Sequence, residues 1–297
     1  MAQAQEVKHV AFRLMTPDDI EGISGGKHTI CSTALERSKE PLIDGLQSAL
    51  LGTDSRQLCA ICKLPREKCF GHSAPIPLNT YVFHPWMIKL GARMLEKVCY
   101  FCASPLNGHG SGCTNIACKA PEQPKYISSS DDIRAQFTQK QLVRLSDAQR
   151  KDATSFSPER AYKLLYTSQE FHQFRGVVLR SICAVPLLLR PSVRTNSSSS
   201  AIARDQLTLG QIEVIRAALR TGRVRDKDVK QQVRYLLESG DSGDRRIKCA
   251  SIRSRLSSKQ GLLRKNVQGK RINNSARCVI VPDPDLAPDE IGLPYKI

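Results

Sequence analysis

The residues whose types and spacing most clearly carry chemistry are Cys59, Cys62, Cys69 and His72 in LCAICKLPREKCFGH, and Cys99, Cys102, Cys113 and Cys118 in KVCYFC and GCTNIACKAP. A zinc ion takes four tetrahedral nitrogen or sulfur ligands at about 2.0–2.3 Å, and a C-x-x-C turn presents two thiolates from one tight bend. In the first group KLPREK separates the two pairs and is long enough, with Pro65 to turn the chain, to fold one over the other. In the second, Cys99/Cys102 faces Cys113/Cys118 across a loop containing Gly108, Gly110 and Gly112. The wider Cys113/Cys118 gap still lies within zinc-ligand spacing. His109, in that loop, is an alternative to one of the thiolates, whereas His84 has no partner pair and reads as a packing residue. Each group supplies four protein ligands and leaves no open position for a reactive water, so two structural Zn2+ ions are expected. Zinc deaminases require an H-x-E motif, which is absent from the sequence.

Elements must position these ligands. Between the two groups, FHPWMIKLGARMLEKVC places Met87, Leu90, Met94, Leu95 and Val98 at helical spacing, predicting an amphipathic helix that delivers the second knuckle. TPDDIEGIS and SPERAYKLLY each open with a capping residue, Thr16 or Ser157, followed by proline, and predict helix starts. DQLTLGQIEVIRAALRTG, with Ile212, Ile215 and Leu219, and DKDVKQQVRYLLESG, with Val229, Val233, Leu236 and Leu237, predict two helices packed as a hairpin about Gly222. ISSSDD (127–132) and RTNSSSSA (194–201) read as surface loops. They divide the chain into 1–126, with both metal groups, 127–194, a helical core, and 195–297, a hairpin followed by a basic region. The expected fold class is α+β.

The chain has 297 residues, 45 Lys and Arg against 28 Asp and Glu, and a formal charge of +17. Such an excess points to nucleic acid, the commonest intracellular polyanion. Aromatic residues make up only 5%, which argues against base stacking as the main mode and for contact with backbone phosphates. Between Arg245 and Ile280 there are eleven Lys and Arg with no Asp, Glu or aromatic residue. In KQGLLRKNVQGKRINNSARCVIV the basic residues alternate with glycines and apolar residues, predicting an ordered, half-buried element laid along a phosphate backbone. Eleven cysteines, most of them paired, suit metal binding in a reducing compartment better than disulfides. Cys31, Cys183, Cys249 and Cys278 stand alone and are expected to be small buried apolar residues. No secretory leader pattern and no apolar run of roughly 20 residues is found, so an intracellular protein is expected.

These motifs resemble the largest subunit of the multisubunit DNA-directed RNA polymerases of the eukaryotic, archaeal and large-DNA-virus type. FRLMTPDDIEGIS resembles the opening of that subunit, CAICKLPREKCFGHSAPIPLNTYVFHP its first zinc motif and following strand, and KVCYFC with GCTNIACKAP its second zinc site. VPLLLRPSV is similar to its proline-rich V-R-P-S segment, and RLSSKQGLLRKNVQGKRINNSARCVIVPDPDLAPDEIGLP resembles its switch region. The matches run in family order, weakest over residues 120–180. The resemblance implies a zinc-braced clamp that closes over DNA and the RNA–DNA hybrid, with Lys259, Arg264 and Arg271 at positions that meet template phosphates. Lys265, Lys270 and Arg277 of the same stretch are further candidate contacts. Ser257 and Leu262 stand where the family usually has basic residues, and Ala74 replaces a usual glycine. The segment corresponding to the lid is reduced to VRTNSSSSAIA or the GDSGD turn.

In that family magnesium is held by three aspartates of an N-A-D-F-D-G-D loop, a motif this sequence does not contain. Asp283, Asp285 and Asp289 have the wrong spacing for it and read as an acidic turn. The sequence therefore predicts a non-catalytic clamp portion of a DNA-directed RNA polymerase, a nucleotidyltransferase whose Mg2+ is bound elsewhere in the assembled enzyme. It is expected either as one piece of a split subunit, as in some viruses, or as a fragment. Its expected partners are other polymerase subunits, including one with the catalytic barrel, template DNA and the hybrid, in the nucleus, a viral factory or a virion, with no membrane. The alternatives are a free-standing zinc-dependent nucleic-acid-binding protein, which should show a recognition helix, and a zinc hydrolase, which lacks a carboxylate at motif spacing.

Overall fold

The computed structural model describes residues 15–295 other than 24–27, 34–35, 38–39, 54–57, 107–112, 114, 119, 121, 131, 154–155, 169–171, 195–201, 223 and 239–250. The glycine loop with His109, Cys249, the GDSGD turn and most of RTNSSSSA lie outside the described residues. The described residues fall into two compact units, Met1–Ser254 and Arg255–Ile297.

In chain order the first unit contains α1 (Pro17–Gly22), β1 (Glu36–Arg37), β2 (Glu40–Pro41), β3 (Pro75–Phe83), α2 (Ile88–Leu95), β4 (Lys125–Ser128) and β5 (Ile133–Gln136). There follow α3 (Gln139–Arg144), α4 (Asp147–Ala153), α5 (Pro158–Thr167), β6 (Val178–Cys183), β7 (Val193–Arg194), β8 (Ile202–Ala203), α6 (Gln206–Ala218) and α7 (Val224–Leu237). Helices and antiparallel pairs are interspersed, an α+β arrangement. The helix starts follow their caps. The Thr16 hydroxyl accepts the Asp19 N–H at 3.2 Å while Asp19 accepts the Thr16 N–H at 2.9 Å, and the Ser157 hydroxyl accepts the Arg160 N–H at 3.2 Å.

The organising element is the antiparallel pair β3–β6, which joins residues a hundred positions apart in a register running from Pro75 opposite Cys183 to Phe83 opposite Val178. A bulge between Pro77 and Val82 leaves Asn79 at φ 55°, where its side-chain amide donates to the Ala218 carbonyl at 3.2 Å and seats the end of α6. On one side Ile30, Leu46, Ile76 and Leu78 pack with Ile215 of α6 and Val229, Val233 and Leu236 of α7. On the other, Phe83 and Val178 join α2, α5, Tyr100 and Tyr126 in a second core. The fully buried Arg190 fastens the first core. Its guanidinium donates to the Val185 carbonyl at 2.6 Å, to the Thr208 hydroxyl at 3.2 Å and to the Leu46 carbonyl.

The helical hairpin forms as expected, with Gly222 at φ 92° in its turn, but Leu219 is 56% exposed because α6 ends before it. The amphipathic helix after the first metal group is also present, with its buried face rotated. Ile88, Gly91, Ala92 and Leu95 point inward, Met87 and Met94 are partly buried and Leu90 is half-buried. Gly91 sets this orientation, since a Cβ there would lie 2.4 Å from Val177 Cγ1, so the helix packs backbone-first against Val177. ISSSDD is not simply a loop. Ile127 and Ser128 belong to β4, and a tight turn in which Ser129 N–H meets the Asp132 carbonyl at 2.8 Å leads into β5. Cys31 and Cys278 are exposed rather than buried.

The second unit begins within the short helix α8 (Ile252–Ser257), passes through a single π-helical turn at Leu263–Val267 and continues as irregular backbone. The expected half-buried element is instead exposed, Val267 at 71% and Ile272 at 79% among its apolar residues. So few apolar side chains, separated by charges and glycines, cannot build a core of their own.

Candidate metal centres and nucleic-acid interface

Both cysteine knuckles adopt one backbone design. In the first, the Lys63 N–H donates to the Cys59 carbonyl at 3.0 Å and the Cys59 N–H to the Leu64 carbonyl at 2.9 Å. In the second, the Ala103 N–H donates to the Cys99 carbonyl at 3.0 Å and the Cys99 N–H to the Ser104 carbonyl at 2.8 Å. The residue following each C-x-x-C, Lys63 at φ 58° and Ala103 at φ 60°, is left-handed despite its side chain. Two independent segments thus hold a strained turn that aims both sulfurs to one side.

The second half of each group completes a tetrad. Cys69 Sγ lies 3.8 Å from His72 Nε2, and the Gly71 N–H donates to Cys69 Sγ at 3.4 Å. Gly71, at φ 82°, has Pro186 so close that a Cβ would lie 2.5 Å from the proline Cβ, and the His72 N–H donates to the Leu51 carbonyl at 3.3 Å. In the other group Cys99 and Cys118 sulfurs are 3.9 Å apart and those of Cys102 and Cys113 3.3 Å. These separations are too long for disulfides, and sulfurs at the corners of a zinc tetrahedron would be about 3.8 Å apart. In each group the four ligand atoms lie within 4.8 Å of one another. The structure therefore brings Cys59, Cys62, Cys69 and His72 together, and likewise Cys99, Cys102, Cys113 and Cys118, as groups that could hold a metal ion.

The thiols oppose one another electrostatically. Burial works against ionisation of Cys102, but hydrogen bonds from Ser104, Cys113 and Cys118 outweigh it and bring the thiol down to about 7. Burial pushes Cys118 up to about 11, helped by Cys102 and Cys99, and pushes Cys113 well above the ordinary thiol range. Burial likewise raises Cys69, whereas at Cys59 the N–H groups of Cys62 and Ile61 and the thiols of Cys62 and Cys69 outweigh it and lower the thiol. Crowded sulfurs cannot all ionise by themselves, and a divalent cation supplies the charge that lets them do so. Three thiolates with one imidazole in the first group, and four thiolates in the second, are donor sets that fit zinc.

Several supporting groups were not legible in sequence. Gln123 accepts the Tyr100 N–H at 2.9 Å through its oxygen and donates to Cys99 Sγ at 3.4 Å through its nitrogen, orienting the knuckle. The Ser104 hydroxyl lies 3.3 Å from Cys102 Sγ and accepts from the Asn115 amide at 3.3 Å, and the Asn115 N–H donates to Cys113 Sγ at 3.4 Å. For Ser104 and Asn115 the one signal was a polar residue two places beyond a ligand; Gln123, five residues after Cys118, carried none. His84 caps the turn before α2, its Nδ1 accepting the Trp86 N–H at 3.2 Å, and joins neither metal group.

Of the candidate phosphate contacts, Lys259, Arg264, Lys265, Lys270, Arg271 and Arg277 are all exposed in the second unit. The π-helical turn carries Arg264 and Lys265 next to each other, with the Lys265 N–H bound to the Gly261 carbonyl at 2.9 Å. Lys270 and Arg271 follow in irregular backbone, and Arg277 lies beyond the left-handed Asn274. Asp283 accepts the Asp285 N–H at 3.1 Å, giving the acidic segment the geometry of a capped turn.

Comparison with known proteins is consistent with these motifs. Residues 4–110 match the family described as RNA polymerase Rpb1, domain 1. Over 341 aligned positions, covering 98% of this chain, the sequence is 24% identical to "DNA-directed RNA polymerase subunit Rpo1N" of Sulfolobus acidocaldarius. The similarity is to the N-terminal part of the largest RNA polymerase subunit. The chain spans 38% of the length of the curated relative it matches. Among the described residues no helix is long and apolar enough to cross a membrane.

Proposed function

We propose that this chain is the clamp portion of the largest subunit of a DNA-directed RNA polymerase, holding template DNA and the RNA–DNA hybrid while another part of the enzyme transfers nucleotides. The observation that carries the reading is the pair of four-ligand groups on one fold, accompanied by a basic segment whose candidate contacts are exposed. In this reading Cys59, Cys62, Cys69 and His72 hold one structural zinc and Cys99, Cys102, Cys113 and Cys118 the other. The ions brace the knuckles and leave no coordination position for substrate. Lys259, Arg264, Lys265, Lys270, Arg271 and Arg277 lie along nucleic-acid phosphates and favour retention of the strand through counterion release. Catalytic Mg2+ belongs to the assembled enzyme. The catalytic barrel is its partner, carried either on a second polypeptide of a divided subunit or on a longer product of which this chain is a fragment, and the chain functions inside the cell or virion.

The test is binding of a fluorescent RNA–DNA hybrid by the zinc-loaded chain over a salt series. Neutralising Lys259, Arg264 or Arg271 singly should lower the slope of log affinity against log salt by about one unit or less each, across unrelated sequences. A wild-type slope in all three variants would remove these residues from the interface.

A further inference from the structure

The two cysteine knuckles share one backbone but not one environment. Because the bonds that close the turns run between matching residues, Leu58, Ala60, Ile61 and Leu64 of the first have Val98, Tyr100, Phe101 and Ser104 of the second as counterparts. In the second knuckle the apolar positions are covered. Val98 is 1% exposed, Tyr100 is fully buried, and Phe101 packs partly buried against the second core. The fourth position there is the polar Ser104. In the first knuckle the same positions face solvent. Leu58 is 61% exposed, and Ile61 and Leu64 are exposed as well. Phe70, which follows the ligand Cys69, is 96% exposed. Its backbone is fixed in that place, since the Gly71 N–H donates to Cys69 Sγ and Gly71 rests against Pro186. The first knuckle is thus the same device with its apolar cover missing, and a rimmed apolar patch of this kind marks an interaction surface.

The rim is basic. Lys63, Arg66 and Lys68 are exposed and make no ion pair among the described residues, and Glu67 is the single acid in residues 58–70. A zinc ion on three thiolates and an imidazole adds one negative charge inside the turn, and the outer face stays positive. Nucleic acid would meet these cations but not the apolar residues, because Leu58, Ile61 and Leu64 are aliphatic and offer no ring on which bases stack. A second copy of the chain would set the same cations against one another, since a two-fold contact pairs a surface with itself. We propose that this face of the first knuckle docks an acidic segment of another polypeptide. Apolar side chains of that segment lie against Leu58, Ile61, Leu64 and Phe70, and its carboxylates face Lys63, Arg66 and Lys68. The inference rests neither on the basic segment of the second unit nor on the proposed hold on nucleic acid, so either can fail without the other.

Replacing Phe70 by photoreactive benzoylphenylalanine keeps an aromatic ring at the exposed position. The tagged, zinc-loaded full chain carrying it is irradiated in an extract of its native source, and the cross-linked peptide is sequenced by mass spectrometry. The expected product joins position 70 to a different polypeptide, at a peptide in which Asp and Glu outnumber Lys and Arg and apolar residues are interspersed. The same reagent at Val143, exposed on α3, should not give that peptide. Lys63→Glu combined with Arg66→Glu and Lys68→Glu should cut the yield about tenfold or more, because attraction at the rim becomes repulsion. Leu58→Ser, which leaves the charges and the ligands in place, should cut it as well, and metal counting should still find two zinc ions per chain in each variant. The proposal is overturned if position 70 cross-links to nucleic acid, to another copy of this chain or to a basic peptide. It is equally overturned if no product exceeds the Val143 control, or if Leu58→Ser and the charge-reversed chain both cross-link as well as wild type.

Discussion

Replacing Arg190 by methionine should destabilise the first unit by about 3 kcal/mol, although the site lies away from both metal groups. The side chain is fully buried and serves the carbonyls of Val185 and Leu46 and the hydroxyl of Thr208. Leaving three buried acceptors without a donor costs about 1–3 kcal/mol each. Against this, methionine removes a buried guanidinium whose desolvation costs several kcal/mol, and its stem keeps most of the packing. The difference corresponds to about a hundredfold in the folding equilibrium. Urea unfolding of the zinc-loaded chain, followed by far-UV dichroism, measures it as a lower midpoint at unchanged slope. Because Val185–Arg190 also holds Pro186 against Gly71, zinc should leave the first group faster in this variant. A loss below about 1 kcal/mol would mean that these acceptors have other donors and that Arg190 does not fasten the core.

Gly71→Ala meets Pro186 and requires a left-handed alanine, so it should weaken zinc retention at the first group alone. Chelator competition with metal counting would show this, and equal retention at both groups would contradict it. Gln123→Leu should leave two zinc ions per chain but lower affinity at the second group about tenfold to a hundredfold, as expected for removal of a ligand-orienting hydrogen bond. His84 is held down at about 4, chiefly by burial, while the unfolded residue titrates near 6.5. The unfolded chain therefore takes up the proton first, and His84's contribution, no more than about 3 kcal/mol, is present above pH 6.5 and lost as pH falls toward 4. His84→Asn, which can still cap Trp86, should flatten that fall in unfolding measured from pH 7 to 4.5. An identical fall in both proteins would rule the histidine out.

The two candidate ligand groups were legible because four-coordinate zinc restricts ligand type and spacing together, and the folded knuckles bring those residues together. Helix starts at Thr16 and Ser157 were equally readable, since caps act within three residues. What escaped was decided by distant parts of the chain. The inward face of α2 follows from Gly91 meeting Val177, a contact that apolar periodicity cannot register. The pairing of β3 with β6 joins a strand carrying Pro75 and Pro77 to one a hundred residues away, tolerable because the pair has two open edges. Gln123 became a support for Cys99 only once the backbone had brought it there. The basic stretch was read correctly in composition but not in burial, because its apolar residues are too few to cover themselves.

The most direct test of the central claim is to purify the tagged chain gently from its native source and identify by mass spectrometry what accompanies it. The account predicts recovery of N-A-D-F-D-G-D, on a second polypeptide or on a longer version of this chain, together with other polymerase subunits. Recovery of the zinc-loaded chain alone would contradict it and favour a free-standing nucleic-acid-binding protein.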